Sequence, residues 1–229
     1  MIDLSIVIPV FQEGHTIQRT IPLLIDRISQ PEAIEIIVVD FAESTPLDLP
    51  SIIYLNSKKK GRAAQMNYGA SKAKGKILYF LHADSFPPED FDGLIKNEVV
   101  RGSEAGSFLM DFDKESRFLK FFAWFTRFSN VLCAGGDQSF FIASPKFKEL
   151  GGYNEEMNIM EDLDIVKRAK RAVKYTVIKK AKLVTSARKY EANGLVRLQL
   201  LFAILHLKYR MGFSQDSMSR FYRKHIVTP

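Results

Sequence analysis

Acidic and polar side chains directly follow several of the apolar runs in this sequence. Carboxylates placed at strand ends can hold a metal ion, take a proton from a hydroxyl group, or cap a helix. In an open parallel sheet, ligands bind beyond the carboxyl ends of the strands, so these side chains would meet at one edge. For each one alone, helix or turn capping is the competing interpretation, but their joint placement favours a ligand site. They are Glu13, Asp40, His82, Asp84 and the later pair Glu161-Asp162.

The apolar runs that precede these residues have the length of strands and alternate with helix-length polar or amphipathic stretches around 14–30, 61–74 and 88–101. This alternation is typical of βαβ units. The runs are continuous in Val, Ile and Leu, which indicates strands covered on both faces. The sequence therefore predicts an α/β fold, a Rossmann-like and mainly parallel sheet flanked by helices. The four runs are Leu4–Val10, Ile34–Val39, Ile52–Leu55 and Ile77–Leu81.

After Phe112 the pattern changes to an aromatic and basic segment and then to shorter elements. We expect a strand at Ser139–Ile142, a helix over 160–172, strands near 174–186 and C-terminal helices from 194. The chain shows no internal repeat and no Ser/Gly linker, so a single domain over 1–229 is expected.

Composition limits the class of protein. The 229 residues are 46% hydrophobic and 26% charged, which is typical of a globular chain and excludes a disordered one. The net charge of +7 favours anionic partners such as nucleotides, phospholipid head groups or nucleic acid. The chain has no RNP-like strand and no arginine-rich arm, so specific binding of nucleic acid is not expected.

The single cysteine, Cys133, lies in an apolar context and predicts a reduced structural thiol. The N-terminus lacks the basic flank and cleavage site of a signal peptide. Charged residues interrupt the apolar segment 195–211, so no window reaches the roughly 18 apolar residues of a membrane span. A cytoplasmic protein is expected, located at the inner face of the membrane if it contacts lipid.

Two common phosphate-binding motifs are excluded. The stretch Gly69–Lys76 has five residues between its glycines and is followed by Ile77, so it is not a P-loop. No G-x-G-x-x-G motif follows the first apolar run. A nucleotide would therefore be held by side chains and strand-end loops. Arg62 opens a predicted helix after three lysines, and it can meet phosphate oxygens together with the helix N-terminal amides.

Several ordered blocks resemble a family 2 glycosyltransferase with the GT-A fold, and most closely a compact bacterial subgroup with H-A-D in place of D-x-D. The blocks span most of the chain. They are Ser5-Ile6-Val7-Ile8-Pro9-Val10-Phe11-Gln12-Glu13, Val38-Val39-Asp40, Gly61-Arg62-Ala63-Ala64-Gln65-Met66-Asn67, His82-Ala83-Asp84, Gly135-Gly136-Asp137-Gln138, Glu161-Asp162-Leu163-Asp164 and Ser186-Ala187-Arg188-Lys189-Tyr190-Glu191.

The resemblance implies transfer of a sugar, with inversion, from a nucleoside-diphosphate sugar to an acceptor of unknown identity. It implies a UDP-sugar donor and Mg²⁺ or Mn²⁺ at Asp84, with His82 as a second candidate ligand. It also implies a nucleotide-binding half at 1–112, an acceptor and catalytic half at 113–193 and a helical appendage at 194–229. The nucleotide site would consist of Pro9, Phe11, Glu13, Asp40, Arg62, Asn67 and Asp84.

The acidic pair has the position of the family's catalytic carboxylates. Asp162 is accordingly the candidate base that takes the proton of the acceptor hydroxyl, with Glu161 as the next candidate. Capping or helix-dipole stabilisation is the competing role for Glu161, Asp162 or Asp164 at the start of the helix. Asp137 and Gln138 would belong to the acceptor side, and Arg188 would clamp the diphosphate.

Two apolar segments raise the question of lipid. The aromatic segment 118–128 and the late segment 198–205 could rest on a bilayer surface, or pack on the sheet, on each other or across a homodimer interface. Contact with lipid would favour a lipid-linked acceptor. The alternative to an enzyme is a non-catalytic module that binds nucleotide-sugars or a membrane surface.

Overall fold

The computed structural model describes residues 1–11, 13–41, 51–125 and 139–228, without the side chain of residue 125. The strands are β1 (Leu4–Val10), β2 (Ile34–Asp40), β3 (Ile52–Asn56), β4 (Ile77–Phe80), β5 (Ser85–Phe86), β6 (Ala105–Phe112), β7 (Phe140–Ala143) and β8 (Tyr175–Thr185). The helices are α1 (Gly14–Asp26), α2 (Arg62–Lys72), α3 (Phe91–Val100), α4 (Arg117–Phe125), α5 (Ser144–Glu149), α6 (Glu161–Ala172), α7 (Arg188–Asn193), α8 (Leu195–Arg210) and α9 (Gln215–His225).

The described strands form one sheet in the order β3-β2-β1-β4-β7-β6-β8-β5. Strands β1 to β4 pair in parallel, and β6 pairs in parallel with β8. Strand β7 is antiparallel to β4 and β6, and β5 is antiparallel to β8. The predicted α/β fold with a mainly parallel sheet is confirmed, and the antiparallel pairs involve strands of the second half of the chain.

Burial on both faces explains the continuous apolar run of β1. Ile6 and Ile8 pack in one cluster with α1 and α3. Val7 points the other way, into a cluster with α2 and α6. At Gly69 of α2 an added Cβ would lie 2.5 Å from Val7 Cγ1, so the absence of a side chain lets this helix approach the strand closely. The helix that begins at Arg62 is thereby held against the sheet.

Strand β6 is the main element that the sequence pattern does not predict. Its sequence mixes small and polar residues with apolar ones, so the run of Val, Ile and Leu seen in β1 and β2 is missing. An added Cβ at Gly106 would lie 2.5 Å from Phe141 Cζ, which shows how closely β6 approaches β7. The region 174–186, predicted as more than one strand, is the single strand β8 with a register shift opposite Phe108 and Leu109.

The C-terminal helices form a third apolar cluster. Leu119 of α4, Leu205 of α8 and Met218 of α9 are buried together in it. The buried faces of the two apolar segments thus pack together in one cluster. Phe121 and Trp124 of α4 stay exposed. Residues 126–128 of the aromatic segment and Cys133 lie outside the described residues. Among the described helices, none has the length and apolar character needed to span a bilayer.

Candidate active site

A buried glutamine ties α2 to the strand ends. Gln65 Nε2 donates hydrogen bonds to the Val10 carbonyl at 2.6 Å and to the Val39 carbonyl at 2.8 Å. These two contacts fix the end of β1 beside the end of β2. Gln65 belongs to the sequence motif that runs from Gly61 to Asn67, and the sequence alone predicts no role for it. The available signal was a polar residue among the small and apolar residues of the buried helix face.

The residues predicted for the nucleoside lie around these two strand ends. Pro9 is buried and pairs with Val39, and Val10 pairs with Asp40. Asp40 is buried and accepts a 2.7 Å hydrogen bond from the Tyr54 hydroxyl, a partner that the sequence did not indicate.

An aromatic surface lies next to this carboxylate. Phe11 is 38% exposed, and its ring centroid is 6.0 Å from that of Phe41. Lys60 Nζ lies 5.1 Å from the centroid of the Phe11 ring, within cation–π distance. The structure thus combines a ring face, a cation and a buried carboxylate, which suits a base, a phosphate and a ribose hydroxyl.

Arg62 and His82 both approach the acidic pair at the start of α6. Arg62 Nη2 lies 2.6 Å from Glu161 Oε1 and 3.8 Å from Asp162 Oδ2. His82 Nε2 lies 3.6 Å from Asp162 Oδ2, which is long for a hydrogen bond, and a protonated His82 would attract this carboxylate. Three separate segments, at α2, after β4 and at α6, therefore converge here. We call these four residues the Arg62 cluster.

The two carboxyl groups of the Arg62 cluster differ in their acidity. Burial raises the pKa of Glu161, and the charge of Arg62 only partly offsets this. Burial also acts to raise the pKa of Asp162, but the neighbouring His82 and Arg62 outweigh it and hold the pKa below the usual value. Asp162 is thus the carboxyl group that stays ionised, while Glu161 favours its proton more strongly.

Backbone geometry determines where this pair begins. Met160, directly before α6, has φ of 65° in the left-handed region, which is disfavoured for a residue with a side chain. Such conformations cost about 1–3 kcal/mol and are found at functional sites more often than elsewhere. Both oxygens of Glu161 are buried and lack a hydrogen bond of good geometry from the described residues, despite the close Arg62.

A second group of ion pairs, the Arg188 cluster, forms at the start of α7. Arg188 Nη2 lies 2.7 Å from Glu13 Oε2 and 3.1 Å from Asp84 Oδ2, and Nη1 donates to Thr16 Oγ1 at 3.2 Å. Burial acts to lower the pKa of Arg188, but its two carboxylate partners outweigh this and raise it. The late residue Arg188 therefore meets the ends of β1 and β4, and it carries a fixed positive charge there.

The residues predicted to bind a metal, Asp84 and His82, suit a cation that is bound partly by the protein and partly by a phosphate ligand. Among the described residues, no three His, Cys, Asp or Glu side chains lie together as a metal-binding group. Asp84 can supply one carboxylate oxygen, while His82 contacts Asp162. Mg²⁺ is commonly held by one or two carboxylates together with substrate phosphates, so the donor set suits a diphosphate-bound cation.

Other predicted residues have different surroundings. The Asn67 side chain donates to the Tyr153 carbonyl at 2.9 Å and to Glu155 Oε1 at 3.1 Å, and it accepts from the Tyr153 amide. It therefore holds the loop around Tyr153 and does not join either cluster. Asp164 pairs with Arg168 at 2.8 Å on the same helix, which supports a structural role. Asp137 and Gln138 lie outside the described residues.

Comparison with known proteins agrees with this architecture. Residues 5–118, about half of the chain, match the sequence model of Glycosyl transferase family 2. No protein of curated function matches the chain significantly by sequence. Two solved proteins share the fold at low identity. The structure of residues 1–349 of TarS from S. aureus has 11% identity and a TM-score of 0.67, with 96% of this chain and 69% of that chain covered.

The second is the mannosyltransferase PcManGT from Pyrobaculum calidifontis in complex with GDP-Man and Mn²⁺. It shows 17% identity and a TM-score of 0.68, and the alignment covers 89% of this chain and 61% of that chain. TarS 1–349 is also known in complex with UDP-GlcNAc, with 12% identity and a TM-score of 0.64 over 96% of this chain and 70% of that one. Against the longer TarS structure, the present chain spans 43% of the length.

The fold and the family match together define the class. The chain is a family 2 glycosyltransferase with the GT-A fold, as the resemblance in its motifs indicated. It is accordingly an enzyme of the sugar-transfer class, and the alternative of a non-catalytic module is not favoured.

Proposed function

We propose that this protein transfers a sugar from a UDP-sugar to an acceptor hydroxyl group with inversion, and that Asp162 is the base. The observation that carries the proposal is the Arg62 cluster, where burial raises the pKa of Glu161 while His82 and Arg62 hold that of the adjacent Asp162 below its usual value. Pairs of carboxyl groups with diverging pKa values are typical of sites that move protons. The complexes of TarS with UDP-GlcNAc and of PcManGT with GDP-Man support a nucleoside-diphosphate sugar as donor.

The nucleotide would lie across the ends of β1, β2 and β4. Phe11 and Phe41 offer ring faces to the base, and Asp40 offers a carboxylate to the ribose. Arg62 and Arg188 lie on two sides of the strand ends and supply positive charge for the diphosphate. Charge-assisted hydrogen bonds from arginine suit phosphate oxygens because the guanidinium presents two parallel donors.

In the transfer step, the acceptor oxygen forms a bond to the anomeric carbon while the bond from that carbon to the diphosphate oxygen breaks. The acceptor proton passes to Asp162, and the nucleoside diphosphate leaves with the electron pair. A base on the face opposite the leaving group gives inversion in a single displacement. Asp162 suits this role because its pKa is held below the usual value and its position is fixed by His82 and Arg62, while its side chain keeps 12% of its surface exposed.

A divalent cation, Mg²⁺ or Mn²⁺, would be held by Asp84 together with the diphosphate, with His82 as a second candidate donor. When bound, it would neutralise negative charge on the leaving diphosphate. The presence of Mn²⁺ with GDP-Man in PcManGT supports this assignment.

The test is a thermal-shift panel of UDP, GDP and their sugars with Mn²⁺ or with EDTA, followed by measurement of donor hydrolysis. Binding to the native state raises the apparent stability by mass action. We expect UDP and UDP-sugars to raise the Tm in the presence of Mn²⁺, and slow release of UDP from the preferred donor. A protein that binds a UDP-sugar and never releases UDP would be a binding module. Stabilisation by GDP-sugars alone would show that the donor nucleotide carries guanine and not uracil.

A further inference from the structure

The outer face of α8 carries an exposed apolar stripe. Its members recur at intervals of three and four residues, so they lie on one side of the helix. Each is between 42% and 66% exposed. The stripe consists of Val196, Leu200, Ile204, Leu207 and Met211, the last directly after the helix.

Internal packing does not account for this face. The opposite face of α8 already places Leu198 and Leu205 in the third apolar cluster, where both are buried. The helix is therefore apolar on two sides, and among the described residues only one of these sides packs in an apolar cluster. At 1.5 Å per residue, the stripe runs about 22 Å along the surface. A continuous exposed apolar surface of this kind indicates a binding face.

The charges on α8 itself are all positive. The sequence Leu195–Arg210 contains no acidic residue, and on a helical projection Arg197 and Lys208 flank the stripe on one side and Arg210 on the other. Exposed basic residues continue on α9 at Arg220, Arg223 and Lys224. Arg197 Nη2 donates to the His225 carbonyl at 3.0 Å, so the basic end of α9 lies beside the start of α8.

We propose that the stripe of α8 binds the surface of an anionic lipid bilayer, with the helix parallel to the membrane plane. An apolar stripe between basic flanks is the pattern of an interfacial helix, since the side chains enter the acyl boundary and the cations meet the head groups. A symmetric pair of α8 helices from two copies would bring these like charges together, which disfavours a second copy as the occupant. The described helices do not span a bilayer, so the contact is peripheral.

This binding face is independent of the chemistry of transfer, and its position has a consequence for the enzyme. Arg188 opens α7, and Gly194, with φ of +81°, leads directly into α8. The Tyr190 hydroxyl donates to Gln199 Oε1 at 3.0 Å, which joins α7 to α8. A bilayer bound to α8 would therefore lie one short helix from the candidate active site, where an acceptor carried by a lipid could reach it.

The test is flotation of the full chain with phosphatidylcholine vesicles, prepared with and without phosphatidylglycerol. We expect binding to the anionic vesicles, weaker binding to the neutral ones, and partial release as salt screens the head groups. The double variant Leu200→Gln, Leu207→Gln should bind at least about tenfold more weakly, because complete burial of one leucine corresponds to about a ten- to hundredfold change in partition.

The matched control is the double variant Leu23→Gln, Val100→Gln, which changes two exposed apolar residues on α1 and α3. It should bind vesicles like the wild type. Because Leu200 and Leu207 are more than half exposed, their variant should stay folded by circular dichroism. Should it unfold, Met211→Gln at the end of the helix carries the same expectation of weaker binding.

Three results would overturn the proposal. The wild type could stay unbound with anionic vesicles, or the stripe variant could bind as well as the wild type. The third is a lipid-free dimer in sedimentation velocity that the stripe variant converts to a monomer, which would make α8 a contact between copies. UDP binding measured on the same samples separates this proposal from the catalytic one, since a failure of flotation leaves UDP affinity unchanged.

Discussion

The two arginine clusters at the strand ends contain similar charges and differ in their burial. Each sets one guanidinium against two carboxyl groups, Glu161 and Asp162 beside Arg62, and Glu13 and Asp84 beside Arg188. The side chain of Glu161 is only 1% exposed and that of Asp162 12%, whereas Glu13 is 32% and Asp84 16% exposed. The carboxyl groups of Glu161 and Asp162 are therefore more strongly desolvated than that of Glu13.

This difference separates two kinds of chemistry. Burial acts to raise the pKa of both Glu161 and Asp162, but His82 and Arg62 lower that of Asp162, and the resulting difference is useful for proton transfer. In the Arg188 cluster the marked effect falls on the arginine, which is held in its charged form and suits an anionic ligand. We therefore expect substitution of Asp162 in the Arg62 cluster to change turnover and substitution of Arg188 to change nucleotide affinity.

The largest expected effect is that of Asp162→Asn. Loss of a general base typically lowers the rate about 10²–10⁴-fold, while UDP affinity should stay near the wild-type value. Transfer or donor hydrolysis gives the rate, and calorimetric titration of UDP gives the affinity. Asp164→Asn is the matched control, because Asp164 lies in the same turn and pairs with Arg168. A folded Asp162→Asn variant with wild-type turnover would move the role of base to Glu161.

Arg188→Gln should show the opposite pattern. It removes a charge-assisted contact to phosphate, and such contacts correspond to about 1.5–3 kcal/mol, or about a ten- to hundredfold loss of UDP affinity. Titration of UDP in the presence of Mn²⁺ measures this loss. Arg101→Gln, which breaks a surface ion pair with Glu98, is the control. Unchanged affinity with a lower Tm would show that Arg188 only joins Glu13 to Asp84.

The Arg62 cluster should also give opposed pH dependences of stability. The pKa of Glu161 is raised in the folded state, so ionisation of this residue destabilises the protein as pH rises through that range. Glu161→Gln should therefore gain stability relative to the wild type as the pH increases from about 4 towards neutrality.

The pKa of Asp162 is lowered, so its contribution to stability is present above its ordinary value and is lost as pH falls through the folded value. Asp162→Asn should accordingly lose stability relative to the wild type as pH rises through the acidic range up to about 4. Urea unfolding of both variants across pH measures the two slopes. Slopes of the same sign would contradict the opposed acidities of the pair.

The smallest expected effect is that of Thr16→Val. Thr16 accepts a 3.2 Å hydrogen bond from Arg188 Nη1, and its loss should change UDP affinity by about threefold or less, since one neutral acceptor is removed. Thr20→Val is the comparison variant and should affect stability instead of UDP affinity. The Thr20 hydroxyl donates to the buried Ala83 carbonyl at 2.6 Å and supports the loop before Asp84. This variant should lower the Tm more than Thr16→Val does. Equal effects on Tm would show that Arg188 orientation and loop support are coupled.

Much of the first half of the fold follows from local pattern. β1 is predicted with the observed bounds, and the strands at 34, 52 and 77 begin where their apolar runs begin. This works because a strand buried on both faces is apolar at nearly every position. β6 is not predicted from the sequence because it contains small and polar residues. They fit in a strand here because β6 pairs with β7 and β8, which are distant in sequence.

The residue types of the site were accessible from the sequence, and their partners were not. The strand-end positions of Asp40 and Asp84, and the position of Asp162 at the start of a helix, followed from the pattern and the family resemblance. The sequence left a capping role open for Glu161, Asp162 and Asp164 alike, and only the structure shows that Asp164 pairs with Arg168. It also placed Asn67 in the nucleotide site, although the structure engages its amide with the loop at Tyr153.

By itself, the sequence determined the class of fold, the elements of the parallel half and the group of polar residues that end its strands, because periodicity and strand-end position are local properties. Only the tertiary structure decided which carboxylate meets which arginine, how their pKa values diverge and which apolar face of α8 is exposed. The physical reason is that desolvation, ion pairing and exposure depend on segments far apart in the chain, such as β1 and α7, coming together.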